Sequence, residues 1–434
     1  MSRLERSHLR IVRDPEPLGS YIRPISRDIN VLSELLASGQ PIGSGIIVDA
    51  RPPEKSDDLR QTAKSRGVEL VLDPNSVELS TDGGIDRSGM LQLPWSGGEC
   101  DTPDSLGRRA EAVVESIAAT AVTMSVDAVL APAHFLESLP SRWLDLDIQL
   151  AEALRRALDE DPRGRKIRIY YPLVSNLGVL SRGPILARIR DELQRLRQDE
   201  VIDAIWLRMH AFGSTSSGRL NLRRYADVSR RLHPVGVPII GERTGTVGLA
   251  LMSLGCIAGI ESGVTHGERC DIRALQREPR PGQGGFAPAP RVYLPAIGAF
   301  LNREPARQFF SAPGIKNWFA CQRPCCRRGF LDMLADPRRH FLITRASEVR
   351  ELAAVPAEVR PEHYLTTWLR PASDRVIRAS RVLPELAKQR RRLDDWRETL
   401  SDVRSLDAKS RPTVSPPISL FDGPTPGKAG SAGR

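Results

Sequence analysis

Residues 237–261 read VPIIGERTGTVGLALMSLGCIAGIE, and this stretch decides the fold. A short apolar run rich in β-branched residues, VPII at 237–240, leads through a glycine-punctuated turn into an apolar segment of helical length at 247–254. A second short apolar run, CIAGI at 256–260, follows. By length and residue type the two runs are strands and the segment between them a helix. Strand, helix and strand in succession predict parallel pairing through a right-handed crossover.

The same alternation extends upstream. Further strand-like runs are GIIVD at 45–49, VELVLD at 68–73, MLQL at 90–93, VDAVLA at 126–131, IRIYY at 167–171 and IDAIWL at 202–207. Segments at 105–123, 144–158, 184–197 and 220–232 place apolar residues three and four apart, as helices do. Eight strands alternating with helices predict an α/β protein built on a (β/α)8 TIM-type barrel over residues 40–275. A doubly wound open sheet is the competing architecture, but no GxGxxG follows the first strand.

On either side the pattern changes. Residues 1–39 are polar and broken by prolines, with one helical candidate at 30–36. Residues 276–352 begin with a Gly/Pro-rich loop, REPRPGQGGFAPAP at 277–290, and continue into a cysteine segment. Residues 353–407 form a basic helical extension, and 408–434, poor in apolar residues, are expected to be disordered.

Hydrophobic residues make up 40% of the 434, enough for a sizeable core, but aromatics only 5%, so that core rests on aliphatic side chains. The 63 basic residues against 53 acidic give a net +10, which favours a polyanionic partner; arginine-rich coding alone produces the same surplus. Membrane association is not expected: no apolar run approaches the length needed to span a bilayer, and the N-terminal MSRLERSHLRIVRDPEP lacks the apolar core of a signal peptide. A cytoplasmic location is expected, where six cysteines point to metal, catalysis or packing and not to disulfides.

Three of the six cysteines, Cys321, Cys325 and Cys326, lie close together, and His340 follows them. Thiolates and an imidazole gathered this tightly suit a closed tetrahedral zinc site that pins irregular chain. The adjacent Cys325 and Cys326 could both bind only on a contorted backbone, which leaves open that only one of the two does. Reduced packing thiols or a redox pair are the other readings.

In a barrel, working residues sit at the C-terminal ends of strands. That rule selects Asp49, Asp73, His134, Arg208, His210, Glu242, Arg243, Glu261, His266 and Glu268. Asp73, followed by Pro-Asn-Ser, reads better as a helix cap. Asp49 and Glu261 are the catalytic candidates, since a carboxylate ending a buried strand can be shifted to a useful proton affinity. Arg208, His210, Gly241, Glu242 and His266 are the substrate-binding candidates. The turn GERTGTVG at 241–248 offers glycines and a helix N-terminus to a phosphate or carboxylate.

A barrel whose early strand ends in IIVDA at Asp49, whose late segment VPIIGERTGTVGLALMSLGCIAGIE ends at Glu261, and whose cysteine cluster precedes HFLITRASEVREL at His340 resembles the tRNA-guanine transglycosylase family, including relatives that insert 7-deazaguanine bases into DNA. The chain departs from that family in having Ala-Arg-Pro after Asp49, a glutamate near the position of its aspartate nucleophile, and C-x3-C-C spacing. The resemblance implies a glycosyltransferase of the pentosyl-transferring type acting on DNA or tRNA. Glu261 would attack the sugar and displace a purine or 7-deazapurine base, Asp49 would manage protons, and Cys321, Cys325, Cys326 and His340 would hold structural Zn(2+). Arg323, Arg327, Arg328, Arg338 and Arg339 would meet phosphates, and the chain would work as a homodimer or in a larger assembly. Two alternatives are a barrel enzyme on a small phosphorylated or carboxylated metabolite and a non-catalytic nucleic-acid-binding barrel.

Overall fold

The structure is a computed structural model that describes residues 19–50, 56–87, 89–277 and 289–410. Most of the Gly/Pro-rich loop and of the C-terminal tail lies outside the described residues. Eight parallel strands close into a barrel in sequence order. They are β1 (Gly19–Arg23), β2 (Gly45–Asp49), β3 (Glu69–Asp73), β4 (Ala128–Leu130), β5 (Arg168–Asn176), β6 (Ala204–His210), β7 (Ile239–Glu242) and β8 (Gly259–Gly263). β8 pairs back onto β1 over five residues, from Gly19↔Gly259 to Arg23↔Gly263.

The predicted barrel therefore stands, with two corrections among its strands. The first strand is Gly19–Arg23, in a segment read as polar and proline-broken; it spans five residues and ends in a charged one. MLQL at 90–93 forms no strand. Met90 and Leu93 are buried, but successive turns bond their amides to carbonyls three residues back, so they fill the core without a ladder. Residues 408–410, placed in the expected tail, still belong to the last helix.

Helices α1 (Ile29–Ala37), α2 (Ser56–Ser65), α3 (Ala110–Thr123), α4 (Arg142–Glu160), α5 (Gly183–Gln198), α6 (Arg219–Leu232) and α7 (Thr246–Ser253) lie between the strands. The helix that completes the outer ring comes from far along the chain. α8 (Pro337–Ala353), in the segment expected to be an appendage, packs on β1, α1 and α7. A β9–β10 hairpin (Val292–Leu294, Ala299–Leu301) packs against it, and α9 (Arg370–Val382) and α10 (Ala387–Ser410) form the basic extension, α10 lying on α6. Among the described residues no helix is long and apolar enough to cross a membrane.

Side chains alternate across each strand, which sorts the barrel interior into layers. The middle layer is apolar: Tyr21, Ile47, Val71, Leu130, Tyr170, Trp206 and Ile240 form one buried cluster. The Trp206 ring meets Tyr21 edge-on at 5.0 Å and stacks on Tyr170 at 5.9 Å. Gly45 is glycine because a Cβ there would stand 2.6 Å from the Tyr21 ring. At the N-terminal end Glu69 closes the interior, accepting from Tyr21 Oη at 3.0 Å and from Arg168 at 2.8 Å. Two residues beyond the middle layer, at the C-terminal end, the inward positions are Arg23, Asp49, Asp73, Arg208, Glu242 and Glu261.

Candidate active site and metal centre

All of these side chains but that of Asp49, which lies at the rim, join in a largely buried ring of alternating charge. Arg23 donates to Asp73 Oδ2 at 2.5 Å and to Glu261 Oε1 at 3.2 Å, and its Nη2 lies 4.0 Å from Glu242. Arg208 Nε stands 3.2 Å from Glu242, and Arg208 Nη2 donates at 2.8 Å to Glu78, which enters from a helical turn (Ser76–Leu79) after β3. Glu242 and Glu261 are register partners on adjacent strands. Glu261 is fully buried, and burial raises its carboxyl above the usual range; Arg23 opposes that shift and Glu242 reinforces it. Burial alone would raise Glu78 as well, but the Arg208 guanidinium overrides it and holds that carboxyl low. Neither Glu261 Oε2 nor Glu78 Oε2 has a hydrogen-bond partner among the described residues, although both are buried. Buried polar atoms of this kind are rare and need an explanation, such as a ligand group or ordered water.

Of the residues selected from sequence, Asp49, Asp73, Arg208, Glu242 and Glu261 thus converge. Asp49 lies at the half-exposed rim and accepts from Asn75 Nδ2 at 3.2 Å. Asp73 does both jobs open to it, accepting from Asn75 N at 2.8 Å as a turn cap and from Arg23. Arg23 and Glu78 were missed. The strand-end rule would have found Arg23 had its strand been read; Glu78, five residues past a strand end, left no signal. Gly241 faces outward, where a Cβ would stand 2.9 Å from the Tyr225 hydroxyl of α6. His266 Nε2 lies 3.0 Å from the Ala289 carbonyl. His134 is buried against α4, bonded to Asp147 at 2.5 Å and stacked on Trp143.

The chain after β8 crosses the barrel end. Residues 264–277 run beside the segment after β6: Ala211 N donates to Cys270 O at 2.8 Å, Cys270 N to Phe212 O at 3.0 Å and Ser214 N to Glu268 O at 2.9 Å. Ile272 N donates to His210 Nδ1 at 3.2 Å, which fixes that ring at the mouth; its proton affinity is lowered by burial. Cys270, Ile272 and Leu275 pack with Val77, Ala133, Phe135 and Val174, from the ends of β3, β4 and β5, into an apolar cap over the ring.

The expected anion site at GERTGTVG is filled by the protein itself. Thr246 N, at the head of α7, donates to Glu268 Oε2 at 3.2 Å. Gly245 has φ +61°, and a Cβ on it would stand 2.4 Å from the Glu268 carboxyl carbon. The glycines let this buried carboxylate reach the helix terminus, which needs no external anion.

All four residues of the Cys/His cluster converge, their ligand atoms within 4.8 Å of one another. A 3-10 turn, Pro324–Cys326, closed by Cys326 N donating to Arg323 O at 2.9 Å, lets adjacent cysteines face one point. The turn removes the objection that their adjacency raised to both taking part. Cys321 and Cys325 sulfurs are 3.8 Å apart, Cys325 and Cys326 3.7 Å, and Cys326 Sγ to His340 Nδ1 3.3 Å. Tetrahedral bonds of roughly 2.3 Å to sulfur and 2.05 Å to nitrogen would give edges of about 3.8 and about 3.6 Å. His340 Nε2 donates to the Tyr293 carbonyl at 2.9 Å, leaving the Nδ1 lone pair turned to the thiols. Hydrogen bonds from Cys325 and Cys326 hold the Cys321 thiol far below the usual range, while those with Cys321 and Cys325 push Cys326 far above it. Sulfurs this close cannot all ionise without a cation between them, so the donor set fits a soft, tetrahedral divalent metal.

The arginines expected to meet phosphates are mostly committed elsewhere. Arg323 forms a bidentate pair with Glu351, Arg328 pairs with Asp332, Arg338 with Asp28, and Arg339 with Glu34 and Asp336. Their sequence spacing concealed these partners, two of which lie on the chain before β2.

Fold and site together define a closed (β/α)8 barrel with a charged ring at its C-terminal end and a Cys3His cluster at the start of its eighth helix. No family model matches the chain, and no curated protein matches it. Among solved structures it is similar to a GH18 chitinase from Pseudoalteromonas aurantia at 14% identity, covering 59% of this chain and 98% of that one, with a TM-score of 0.38. It is similar to a type I 3-dehydroquinate dehydratase from Clostridium difficile at 11% identity, 61% and 92% coverage and a TM-score of 0.37. The HpcH/HpaI aldolase from Desulfitobacterium hafniense DCB-2 gives 12% identity, 64% and 93% coverage and a TM-score of 0.31. Likenesses this loose say nothing about chemistry.

Proposed function

We propose that this chain is a barrel enzyme that exchanges a purine or 7-deazapurine base on a nucleic acid, with Glu261 as the nucleophile. The observation that carries the reading is the state of Glu261: buried near the C-terminal end of β8, one oxygen held by Arg23 and the other without a hydrogen-bond partner among the described residues. Such a carboxylate is oriented, desolvated and has a lone pair to spend.

Glu261 Oε2 would bond to the sugar anomeric carbon as the bond from that carbon to the base nitrogen breaks. The electron pair leaves with the base, and Asp49, at the rim, supplies the proton to the departing nitrogen. An incoming base then gives its proton to Asp49, attacks the same carbon and releases Glu261. Arg23 steadies the ionised carboxylate before attack and after release, and Glu242, itself held by Arg208, faces Arg23 from the neighbouring strand. The target nucleotide must leave its stack to reach this depth. The family resemblance supports the nucleic-acid substrate, and the Cys3His cluster, read as a zinc site, supports the same kinship. The metabolite reading loses its anion site to Glu268.

To test it, the protein is incubated with tRNA or duplex DNA and labelled guanine, then denatured. The wild type should yield label in the polymer and a denaturation-resistant protein–nucleic acid adduct, and Glu261→Gln neither. Exchange that persists in Glu261→Gln, or no exchange and no adduct with either polymer, sinks the proposal.

A further inference from the structure

We infer that Arg345 and Glu268 are positioning residues that clamp residues 264–277 across the barrel end and tie them to the helix that carries His340. The inference rests on the function proposed above only in treating the charged ring as the working site. Arg345 lies five residues after His340 on α8 and is fully buried. Its Nη2 donates to Glu268 Oε1 at 2.7 Å and to Thr246 Oγ1 at 3.1 Å, and its Nη1 stands 3.5 Å from Glu348 Oε2. Glu268 holds the α7 head through its side chain and Ser214 through its carbonyl. One guanidinium thus joins the eighth helix, the segment over the ring and the turn after β7, the strand that ends in Glu242.

The connection to the Cys/His cluster runs through Tyr293. Its carbonyl receives the His340 Nε2 proton, its hydroxyl donates to Glu348 Oε1 at 3.0 Å, and its ring lies under the Arg345 guanidinium at 5.1 Å. A buried ion pair adds little net stability against an apolar pair, but a partner left alone is costly. Such a pair tolerates no slip and so fixes position. A disturbance that turns α8 at His340 must move Arg345 or break it from Glu268, and residues 264–277 lose their only described salt bridge to that helix. The ring beneath them would then be opened to solvent without unfolding the barrel.

Hydrogen exchange on the whole protein tests this without substrate, so the result does not depend on whether Glu261 performs base exchange. Glu268→Gln keeps an acceptor for Thr246 but weakens the clamp; Cys326→Ser disturbs the cluster. Each should speed exchange at least ten-fold in peptides covering 211–214 and 268–272, leave β5 and β6 peptides unchanged, and give no further increase when combined. Should Glu268→Gln fold poorly, Arg345→Lys, which keeps the charge but cannot bridge Glu268 and Thr246, is read in the same peptides. The inference is overturned by unchanged exchange in either single variant, by effects that multiply in the double variant, or by acceleration in all peptides together.

Discussion

Replacing Arg23 by methionine should expose how much of this barrel's design is electrostatic. The side chain has near-matching length and retains most of the apolar contact, so the change removes chiefly the charge. It strands Glu261 at 3.2 Å and takes a cation from Asp73 at 2.5 Å and from Glu242 at 4.0 Å, which keep Asn75 N and Arg208 respectively. Removing one partner of a buried ion pair costs roughly 3–5 kcal/mol, and with Glu261 and Glu242 both nearly solvent-free the upper end applies at neutral pH. The cost has a definite pH dependence. Glu261 already has a folded proton affinity above its unfolded value, so the native state binds more protons than the unfolded state there, and stability falls as pH rises through that window. Without Arg23 the shift grows, so the penalty should be largest near pH 7.5 and should shrink as the pH is lowered and Glu261 is protonated. Urea unfolding of wild type and Arg23→Met at pH 7.5 and pH 5, compared at equal slope, measures both. A loss below about 1 kcal/mol, the value of an exposed pair, or a loss independent of pH would refute the buried-ring account.

Elemental analysis should find one zinc per chain, absent in Cys321→Ser and in His340→Ala, with a structural-zinc loss large enough to unfold the segment around Cys321; a metal-free wild type of unchanged stability contradicts it. Gly245→Ala should destabilise the protein by about 1–3 kcal/mol, because it combines strain at positive φ with a clash against Glu268, and a neutral effect in thermal unfolding would show that Glu268 can move aside. If base exchange is detected, its rate should fall on acidification at a higher pH than an ordinary glutamate would give, since a nucleophilic Glu261 must be ionised and burial raises its proton affinity; a rate that does not fall until the ordinary glutamate range excludes Glu261 from that role.

The barrel was legible because its strands, buried on both faces, read as apolar runs of the right length. Where that signal fails, so did the reading: GSYIR at 19–23 is a strand by virtue of its two neighbours and not of its own hydrophobicity, and MLQL is apolar because it is buried under turns. Inward-pointing carboxylates could be found from strand ends alone, which placed Asp49, Glu242 and Glu261. Pairings over long separations could not. Nothing local in the sequence links Arg23 to Glu261, Arg338 to Asp28 or Arg345 to Glu268, and these contacts decide which charges are structural and which have an oxygen to spare. The cysteine cluster was legible as a cluster, but its local geometry was not, since a single 3-10 turn makes adjacent cysteines compatible.

The position of that cluster follows from how the barrel is closed. The outer ring needs an eighth helix between α7 and α1, and the chain supplies it only after a long excursion from β8 through residues 264–277, the Gly/Pro-rich loop and the β9–β10 hairpin. Roughly 70 residues intervene, and closing such a loop costs about 2–3 kcal/mol more entropy than closing one of about five residues, from the (3/2)RT ln n scaling. That extra cost would leave α8 prone to detach, together with Arg345 and the segment it clamps. A structural metal held by the cluster, with roughly 10–16 kcal/mol of apparent affinity, would exceed this several-fold, and the four residues that could hold it are well placed to apply it. Cys321, Cys325 and Cys326 end the excursion, and His340 stands in the first turn of α8. The cluster therefore belongs to the barrel's closure, and through Arg345 and Glu268 it reaches the charged ring at the mouth.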